Sequence, residues 1–190
     1  MTQREVSQAT LNAARARDPD AVAAIYGAYA TDLYRFFMGA VRDRETAEDL
    51  VGGVFLSVVE SLPGFRGPAA AFSGWLFRIA RHDLYDHRRS RARAPVTEPL
   101  DRHLEAAGQA PDPQDLAVAA FVREGLLDVV RELPPAQRDV LLLRLVAGLP
   151  VAEVAELLGR THGATKALQH RALANLARRI EPAPADHGGT

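Results

Sequence analysis

The chain has no cysteine among its 190 residues, and it has only two methionines and one tryptophan. Without cysteine it can form no disulfide and no cysteine-ligated zinc or iron–sulfur site, and the absence favours a reducing compartment. No apolar run approaches the roughly 18 residues that a membrane-spanning helix needs. The N-terminal stretch MTQREVSQATLNAARARDPD also lacks the apolar core of a signal peptide. We therefore expect a cytoplasmic chain without membrane insertion.

The net charge of −1 conceals a strong segregation of charge along the chain. Residues 78–93 carry six arginines against two aspartates, whereas residues 94–120 carry one arginine against five acidic residues. Of the 23 basic residues, 22 are arginine and the single lysine is Lys166. A net charge close to zero is thus compatible with a local anion-binding surface followed by an acidic segment.

Apolar residues recur at helical spacing through most of the chain, and almost no segment alternates as a strand does. The apolar content of 47% is enough for a packed core. We predict an all-α fold of two small helical domains joined by an acidic, proline-rich linker. The predicted division is an N-terminal extension at 1–20, a first domain at 21–93, the linker at 94–115, a second domain at 116–181 and a tail at 182–190.

The helix predicted at residues 47–62 contains two adjacent glycines, Gly52 and Gly53, on its outward side. Each glycine costs about 0.8–1 kcal/mol relative to alanine inside a helix. One hypothesis is that the bare backbone lets another helix approach closely. The alternative is a surface position that tolerates sequence drift.

A third helix, predicted from about Ser73 to Ser90, combines an apolar stripe with a polar one. The polar stripe consists of Arg78, Arg81, His82, Tyr85, Arg88 and Arg89, spaced 3, 1, 3, 3 and 1. Guanidinium groups with an aromatic ring suit phosphates and stacked bases. The alternative is a solvated surface on which the arginines pair with Asp83 and Asp86. We assign Trp75 to the apolar stripe and hence to the core.

Residues 149–176 have the pattern of a helix-turn-helix, with a short helix, a turn at Gly159 and a second helix. In that motif the first turns of the second helix contact base edges. Leu168, Ala172 and Leu176 are then expected to pack inward. The alternative is an ordinary three-helix bundle, which has the same apolar spacing.

The sequence gives no indication of catalysis, of a cofactor or of a metal site. The histidine pairs His82/His87 and His162/His170 lack the spacing of three or four residues that paired helical ligands need. There is no glycine-rich phosphate loop and no nucleophile elbow. We therefore expect a protein that is not an enzyme and binds no cofactor.

Three segments in this order resemble the extracytoplasmic-function (ECF) sigma factors of bacterial RNA polymerase. They are AEDLVGGVFLSVVESLPGFRG, FSGWLFRIARHDLYDHRRSR and LPPAQRDVLLLRLVAGLPVAEVAELLGRTHGATKALQHRALANL. The resemblance implies that the first domain binds the clamp helices of the polymerase and opens the promoter −10 element. The second domain is implied to read the −35 element and to bind the flap. The resemblance also implies an anti-sigma factor that covers both domains.

The resemblance implies three sets of site residues. Core polymerase is expected at Glu48, Asp49, Leu50, Gly52, Gly53, Phe55 and Leu56. The −10 DNA is expected at Phe65, Arg66, Phe72, Ser73, Arg78, Arg81, His82, Tyr85, Arg88 and Arg89, with a flipped base in the loop from Phe65 to Gly74. The −35 DNA is expected at Arg160, Thr161, His162, Gly163, Lys166, Gln169, His170 and Arg171.

This chain departs from the family pattern at several positions. Gly52 and Gly53 stand where the family usually has Gln followed by an acidic residue, His82 replaces a frequent Asn, and Thr165 replaces a frequent Val. Two other functions remain open from the residues themselves. One is a free-standing helix-turn-helix regulator that acts without polymerase, and the other is a protein-interaction module that binds no DNA.

Overall fold

The structure, a computed structural model, describes residues 6–93 and 126–180. Within these ranges it contains helices and no strand, which confirms the predicted all-α class. The helices are α1 (Gln8–Arg15), α2 (Pro19–Met38), α3 (Arg44–Ser61), α4 (Phe72–Arg93), α5 (residues 126–131), α6 (Pro135–Leu141), α7 (Val151–Leu158) and α8 (His162–Ile180). The predicted linker at 94–115 and the tail at 182–190 lie outside the described residues.

Aspartate side chains fix the starts of α2 and α3. The Asp18 carboxylate accepts a hydrogen bond from the backbone N–H of Asp20 at 2.9 Å, and Pro19 occupies the first turn of the helix. The Asp43 carboxylate accepts hydrogen bonds from the Thr46 hydroxyl at 2.6 Å and from its backbone N–H at 2.8 Å. These bonds favour the ionised form and therefore lower the pKa of Asp43.

The core of the first domain is aromatic and lies between α2, α3 and α4. Phe36 stands between Phe37 at 5.4 Å and Phe77 at 5.6 Å, measured between ring centroids in edge-on arrangements. Tyr29 of α2 contacts Phe72, the first residue of α4, at 5.5 Å. Such edge-on pairs are more favourable than stacked sandwiches and add to the burial of apolar area.

Helix α1 was not predicted from the sequence, which indicated only an N-terminal extension. Ser7 caps it by accepting a hydrogen bond from the N–H of Thr10 at 3.0 Å. Leu11 and Ala14, three residues apart, are buried against the first domain. The part of the extension that the structure describes is therefore a piece of the first domain.

The second domain contains one local feature that the sequence did not predict. The α-helical part of α6 ends at Leu141, and the chain continues as a π-helical turn, Leu142–Val146. Its widened geometry appears in the hydrogen bond from the N–H of Ala147 to the carbonyl of Leu142 at 3.1 Å. Gly148 then takes a left-handed backbone with φ of 69°, as suits a glycine that ends a helix.

The turn between α7 and α8 ends α7 in a Schellman motif, in which Gly159 has φ of 62°. The N–H of Arg160 donates to the carbonyl of Ala155 at 2.9 Å, and the N–H of Gly159 donates to the carbonyl of Glu156 at 3.1 Å. The predicted inward residues of α8 are buried, namely Leu168, Ala172 and Leu176. The predicted helix–turn–helix geometry is thereby confirmed.

Candidate nucleic-acid interface

The predicted polar stripe on α4 is present as a surface of mixed exposure. Arg78, His82 and Arg89 are exposed, whereas Arg81 and Arg88 are half-buried. The guanidinium carbon of Arg81 lies 4.7 Å from the ring centroid of Tyr85, and that of Arg88 lies at 6.0 Å. Both distances are those of cation–π contacts, so the stripe presents its aromatic ring together with positive charge.

The two aspartates of α4 lie beside His82. Its Nδ1 atom is 3.4 Å from the Asp86 carboxylate and 3.5 Å from that of Asp83. Burial raises the pKa of Asp83, and its interaction with His82 opposes that shift. The alternative interpretation predicted aspartates paired with the stripe's arginines, whereas here they surround a histidine.

The last turns of α4 extend the positive surface beyond the predicted residues. Burial lowers the pKa of His87, and the nearby charges of Arg91 and Arg88 lower it further. Arg91 is exposed one turn beyond His87. Arg91 adds a cation that the resemblance did not select.

Three predicted contacts are aromatic side chains that the structure places in the core. Phe65, Phe72 and Phe55 are 9%, 0% and 8% exposed. Phe65 and Phe72 pack together and on Trp75 with centroid distances of 5.0–5.7 Å, and Phe55 packs on Tyr26 at 4.5 Å. These rings are buried because their large apolar area packs against neighbouring rings, and their direct contacts with DNA or polymerase remain predictions.

The loop between α3 and α4 is held by the unpredicted helix α1. The backbone N–H of Ala69 donates to the Gln8 side chain at 2.9 Å, and Arg15 donates to the carbonyl of Gly67 at 3.4 Å. The Arg15 guanidinium also lies 5.6 Å from the Phe65 ring centroid. A Cβ at Gly67 would come within 2.7 Å of the Phe65 ring, so this ring requires glycine there. The loop also keeps Arg66 exposed and Ser73 half-buried.

Sequence reasoning missed the contribution of Gln8 and Arg15 because both act on residues far along the chain. The local signal for α1 was present in the helix-capping Ser7 and in the spacing of Leu11 and Ala14. A helix of eight residues, however, has little periodicity to detect.

The first half of α8 and the turn before it carry the predicted −35 residues. Gln169 is half-buried, and the others are exposed: Arg160, Thr161, His162, Gly163, Lys166, His170 and Arg171. Thr161 also caps the helix, since its hydroxyl accepts a hydrogen bond from the N–H of Ala164 at 3.2 Å. The fully buried Thr165 donates its hydroxyl to the Thr161 carbonyl at 3.1 Å, which satisfies a polar group at a position where the family frequently has valine.

The outer side of α3 presents the remaining predicted residues. Glu48 and Asp49 are exposed, Leu50 is half-buried and Leu56 is 54% exposed. A Cβ at either of the adjacent glycines 52 and 53 would meet nothing within 4 Å. The glycines therefore lie on the outward side, as predicted, and the helix itself does not require them.

Comparison with known proteins identifies the family. The Sigma-70 region 2 family matches residues 25–94, and the Sigma-70 region 4 family matches residues 123–176. The ECF sigma factor ShbA of Streptomyces griseus is 31% identical over 135 residues, which are 70% of this chain and 71% of ShbA. SigX of Bacillus subtilis is 31% identical over 160 residues, 83% of this chain and 82% of SigX. The chain belongs to the ECF RNA polymerase sigma factors.

This sigma factor also matches longer relatives and solved structures. BldN of Streptomyces coelicolor is 37% identical over 166 residues, 87% of this chain but only 62% of BldN, so the chain spans less than two thirds of that relative. The structure of CnrH in complex with the cytosolic domain of CnrY aligns with a TM-score of 0.63 at 20% identity, covering 94% of this chain and 97% of that one. RpoE of Bartonella quintana, in complex with the anti-sigma factor NepR, aligns at 0.56 and 21% identity, covering 92% and 94%. These two structures support the fold.

The region 2 match of this sigma factor begins within α2 and therefore leaves α1 outside. The exact domain limits predicted from the sequence remain predictions. No helix in the described ranges is long and apolar enough to cross a membrane. Among the same residues, no cluster of three or more histidine, aspartate or glutamate side chains is placed to hold a metal ion.

Proposed function

We propose that this ECF sigma factor joins core RNA polymerase in the cytoplasm and directs it to promoters, without catalytic activity of its own. The observation that carries the proposal is the pairing of two surfaces in family order. One is the arginine–tyrosine stripe of α4, which follows a loop held by a hydrogen bond from α1. The other is the exposed basic start of α8. A free-standing regulator requires only the second surface.

The first domain is proposed to hold the −10 non-template strand along the α4 stripe. Flipping a base costs a few kcal/mol, so the loop must be preformed and the strand must be held by several phosphate contacts. Gln8 and Arg15 support the loop, while Phe65 and Phe72 form its floor from within the core. Arg78 and the other arginines of the stripe supply the positive charges that would bind the phosphates of the strand.

The polymerase is proposed to bind the outer side of α3 through its clamp helices, and the second domain to bind the flap. Leu56 is the exposed apolar residue at the C-terminal end of the predicted α3 set, and the exposed carboxylates of Glu48 and Asp49 lie at its other end. An exposed apolar residue together with charged residues on the same helix is typical of a protein interface.

An anti-sigma factor is proposed as the regulatory partner. CnrH was solved with CnrY and RpoE with the anti-sigma factor NepR, and both share the fold of this chain. The support is family analogy together with the exposed apolar side chain of Leu56, which a partner could cover.

Promoter binding with and without core polymerase tests the proposal against a free-standing regulator. We expect the chain with core to shift genomic promoter fragments and protect them over both elements. The chain alone is expected to bind them weakly. Tight, sequence-specific binding by the chain alone, unchanged by core, would favour the regulator instead.

Replacing Lys166 with alanine is expected to weaken −35 duplex binding by a similar factor on all sequences. The ammonium group is exposed on the second turn of α8, where it can neutralise one phosphate. Loss of one phosphate contact reduces the slope of log K against log salt by about 1. Titrations at several salt concentrations measure that slope, and a changed base preference with an unaltered slope would show that Lys166 reads a base.

Replacing Gly52 and Gly53 together with alanine is expected to stabilise the protein and weaken polymerase binding. Each alanine gains about 0.8–1 kcal/mol of helix stability because it loses less backbone entropy than glycine, and no clash opposes the gain since its Cβ meets nothing within 4 Å. The added methyl groups would also keep a clamp helix from approaching closely. Urea unfolding and core-binding titrations measure the two effects.

Gly27→Ala in α2 is the matched control, since a Cβ there also meets nothing within 4 Å. It is expected to stabilise the protein without changing polymerase affinity. Tighter core binding by the double variant would contradict the close-approach hypothesis.

A further inference from the structure

Two side chains of α1 hold the loop that precedes α4 at its backbone. The amide oxygen of Gln8 accepts a hydrogen bond from the N–H of Ala69 at 2.9 Å, and Arg15 donates to the carbonyl of Gly67 at 3.4 Å. Ala69 begins a short 3₁₀ turn, and the first N–H groups of a helical turn have no partner within it. Gln8 supplies that partner, so α1 completes the hydrogen bonding of the loop.

Asn12 joins these two side chains on the exposed side of α1. Its amide oxygen accepts a hydrogen bond from Nε2 of Gln8 at 3.2 Å and another from Arg15 at 3.0 Å. Because Nε2 of Gln8 is directed to Asn12, the oxygen of the same amide is directed to the N–H of Ala69. Arg15 donates through one terminal nitrogen to Asn12 and through the other to the loop. Asn12 therefore orients both side chains that hold the loop.

Arg15 also contacts the aromatic floor of the loop. Its guanidinium carbon lies 5.6 Å from the Phe65 ring centroid, which is the distance of a cation–π contact. Phe65 in turn packs on Phe72 at 5.7 Å and on Trp75 at 5.0 Å, measured between ring centroids. Since one arginine contacts both the loop backbone and the ring below it, the position of the loop over its floor depends on α1.

We infer that Gln8, Asn12 and Arg15 are positioning residues for the −10 strand, and that they hold the loop in the form that receives the flipped base. A loop that is already ordered loses little conformational entropy when a base binds, so the base binds more tightly. The three residues precede the region 2 match, which begins at residue 25 and therefore does not include them. The inference rests on the proposed function for the identity of the loop as the base-binding site.

Amide hydrogen exchange of the free full-length chain tests whether Asn12 acts on the loop. Asn12→Leu removes the acceptor of both hydrogen bonds, and α1 stays folded because leucine favours a helix more than asparagine does. We expect the N–H of Ala69 to exchange about three- to tenfold faster in this variant, as for the loss of one hydrogen bond. The N–H of Thr46, held by Asp43 in α3, is the internal reference.

Asn12→Asp is the conservative control for the exchange measurement. A carboxylate oxygen accepts both hydrogen bonds that the amide oxygen accepts, so we expect the N–H of Ala69 to exchange at the unaltered rate. Equal exchange of Ala69 in Asn12→Leu and in the unaltered chain would overturn the inference.

Strand binding by core polymerase saturated with the chain tests the effect on base capture. The probes are fluorescent oligonucleotides of a single base, one for each base, and an abasic oligomer of equal length. We expect the unaltered chain to prefer one base over the abasic oligomer, and Asn12→Leu and Arg15→Met to reduce this preference about three- to tenfold. Binding of the abasic oligomer should stay unchanged, because the α4 stripe binds phosphates. An unreduced preference, or equal weakening on all oligomers, would overturn the inference.

Arg17→Met is the charge-matched control for Arg15→Met. Arg17 is exposed just beyond the end of α1, and its replacement changes the net charge by the same amount. We expect this control to keep the base preference of the unaltered chain. Equal loss of the preference in both variants would indicate a general effect of charge and would overturn the inference.

The two measurements separate this inference from the proposed function. A base preference that survives Asn12→Leu, on a chain that binds polymerase, would overturn the inference alone. Faster exchange of Ala69 in Asn12→Leu supports the effect of α1 on the loop whether or not DNA binds. If the unaltered chain then fails to bind polymerase, or prefers no base over the abasic oligomer, the proposed function is overturned.

Discussion

Replacing Phe72 with alanine is expected to lower the free energy of unfolding by about 3–5 kcal/mol. The side chain is fully buried and contacts Tyr29, Phe65 and Trp75 with ring centroids 5.5–5.7 Å apart. It joins α2, the loop and the first turn of α4, so its removal leaves a cavity where three elements meet. Urea unfolding followed by circular dichroism measures the loss.

Phe72→Leu separates this structural role from the DNA contact that the sequence predicted. Leucine retains much of the apolar volume, so we expect a much smaller loss of stability and nearly normal single-strand binding. A Phe72→Leu variant that is stable yet fails to bind the strand would show that the ring contacts DNA directly. A change within about 0.5 kcal/mol for Phe72→Ala, as at a surface site, would contradict its place in the core.

Replacing Leu56 with aspartate is expected to weaken core polymerase binding by about 30-fold or more, as for an interface residue worth 2 kcal/mol. Leu56 is 54% exposed on α3, so a carboxylate there stays solvated in the free protein. In the proposed complex it would be buried against the clamp without a partner. Binding of fluorescently labelled chain to core polymerase measures the change.

Ile180→Asp is the matched control, because Ile180 is also 54% exposed and ends α8 in the other domain. We expect neither variant to lose more than a few tenths of a kcal/mol in unfolding free energy. Equal weakening of core binding by both variants would indicate a general charge effect and contradict a specific clamp contact at Leu56.

Periodicity predicted the long helices because each buries one regular apolar face. On α4, Leu76, Ala80 and Leu84 recur every four residues and are buried. Phe77 was missed although it is only 1% exposed, because the buried face is wider than the stripe read from the sequence. Aromatic neighbours in α2 cover that extra width, and such non-local contacts leave no trace in local spacing.

The π-helical turn of the second domain is another feature that local residue spacing does not predict. Residues 140–143 are all buried, and four consecutive buried residues do not fit the single face of a regular helix. The leucine run also satisfies a regular helical period, so the sequence does not indicate the widened turn. The widened turn follows from packing on both sides, with α2 on one and the bundle on the other.

The sequence predicted which residue types make up the candidate sites, but it predicted less well which of their side chains face solvent. Charged residues such as Arg78 and Lys166 are exposed as expected, because a charge needs solvent or a partner. The aromatic residues Phe55, Phe65 and Phe72 are buried instead, since their apolar area favours the core. The pairing of Tyr85 with Asp139 joins residues 54 positions apart, and no local pattern could predict it.

Run-off transcription is the most direct test of the central claim that this chain gives core RNA polymerase its promoter specificity. The assay combines purified core polymerase, the full chain and a pool of genomic promoter fragments. We predict defined transcripts that appear only when the chain is added, and that Leu56→Asp reduces at limiting concentration. A chain that neither associates with core polymerase nor changes its transcripts would contradict the account.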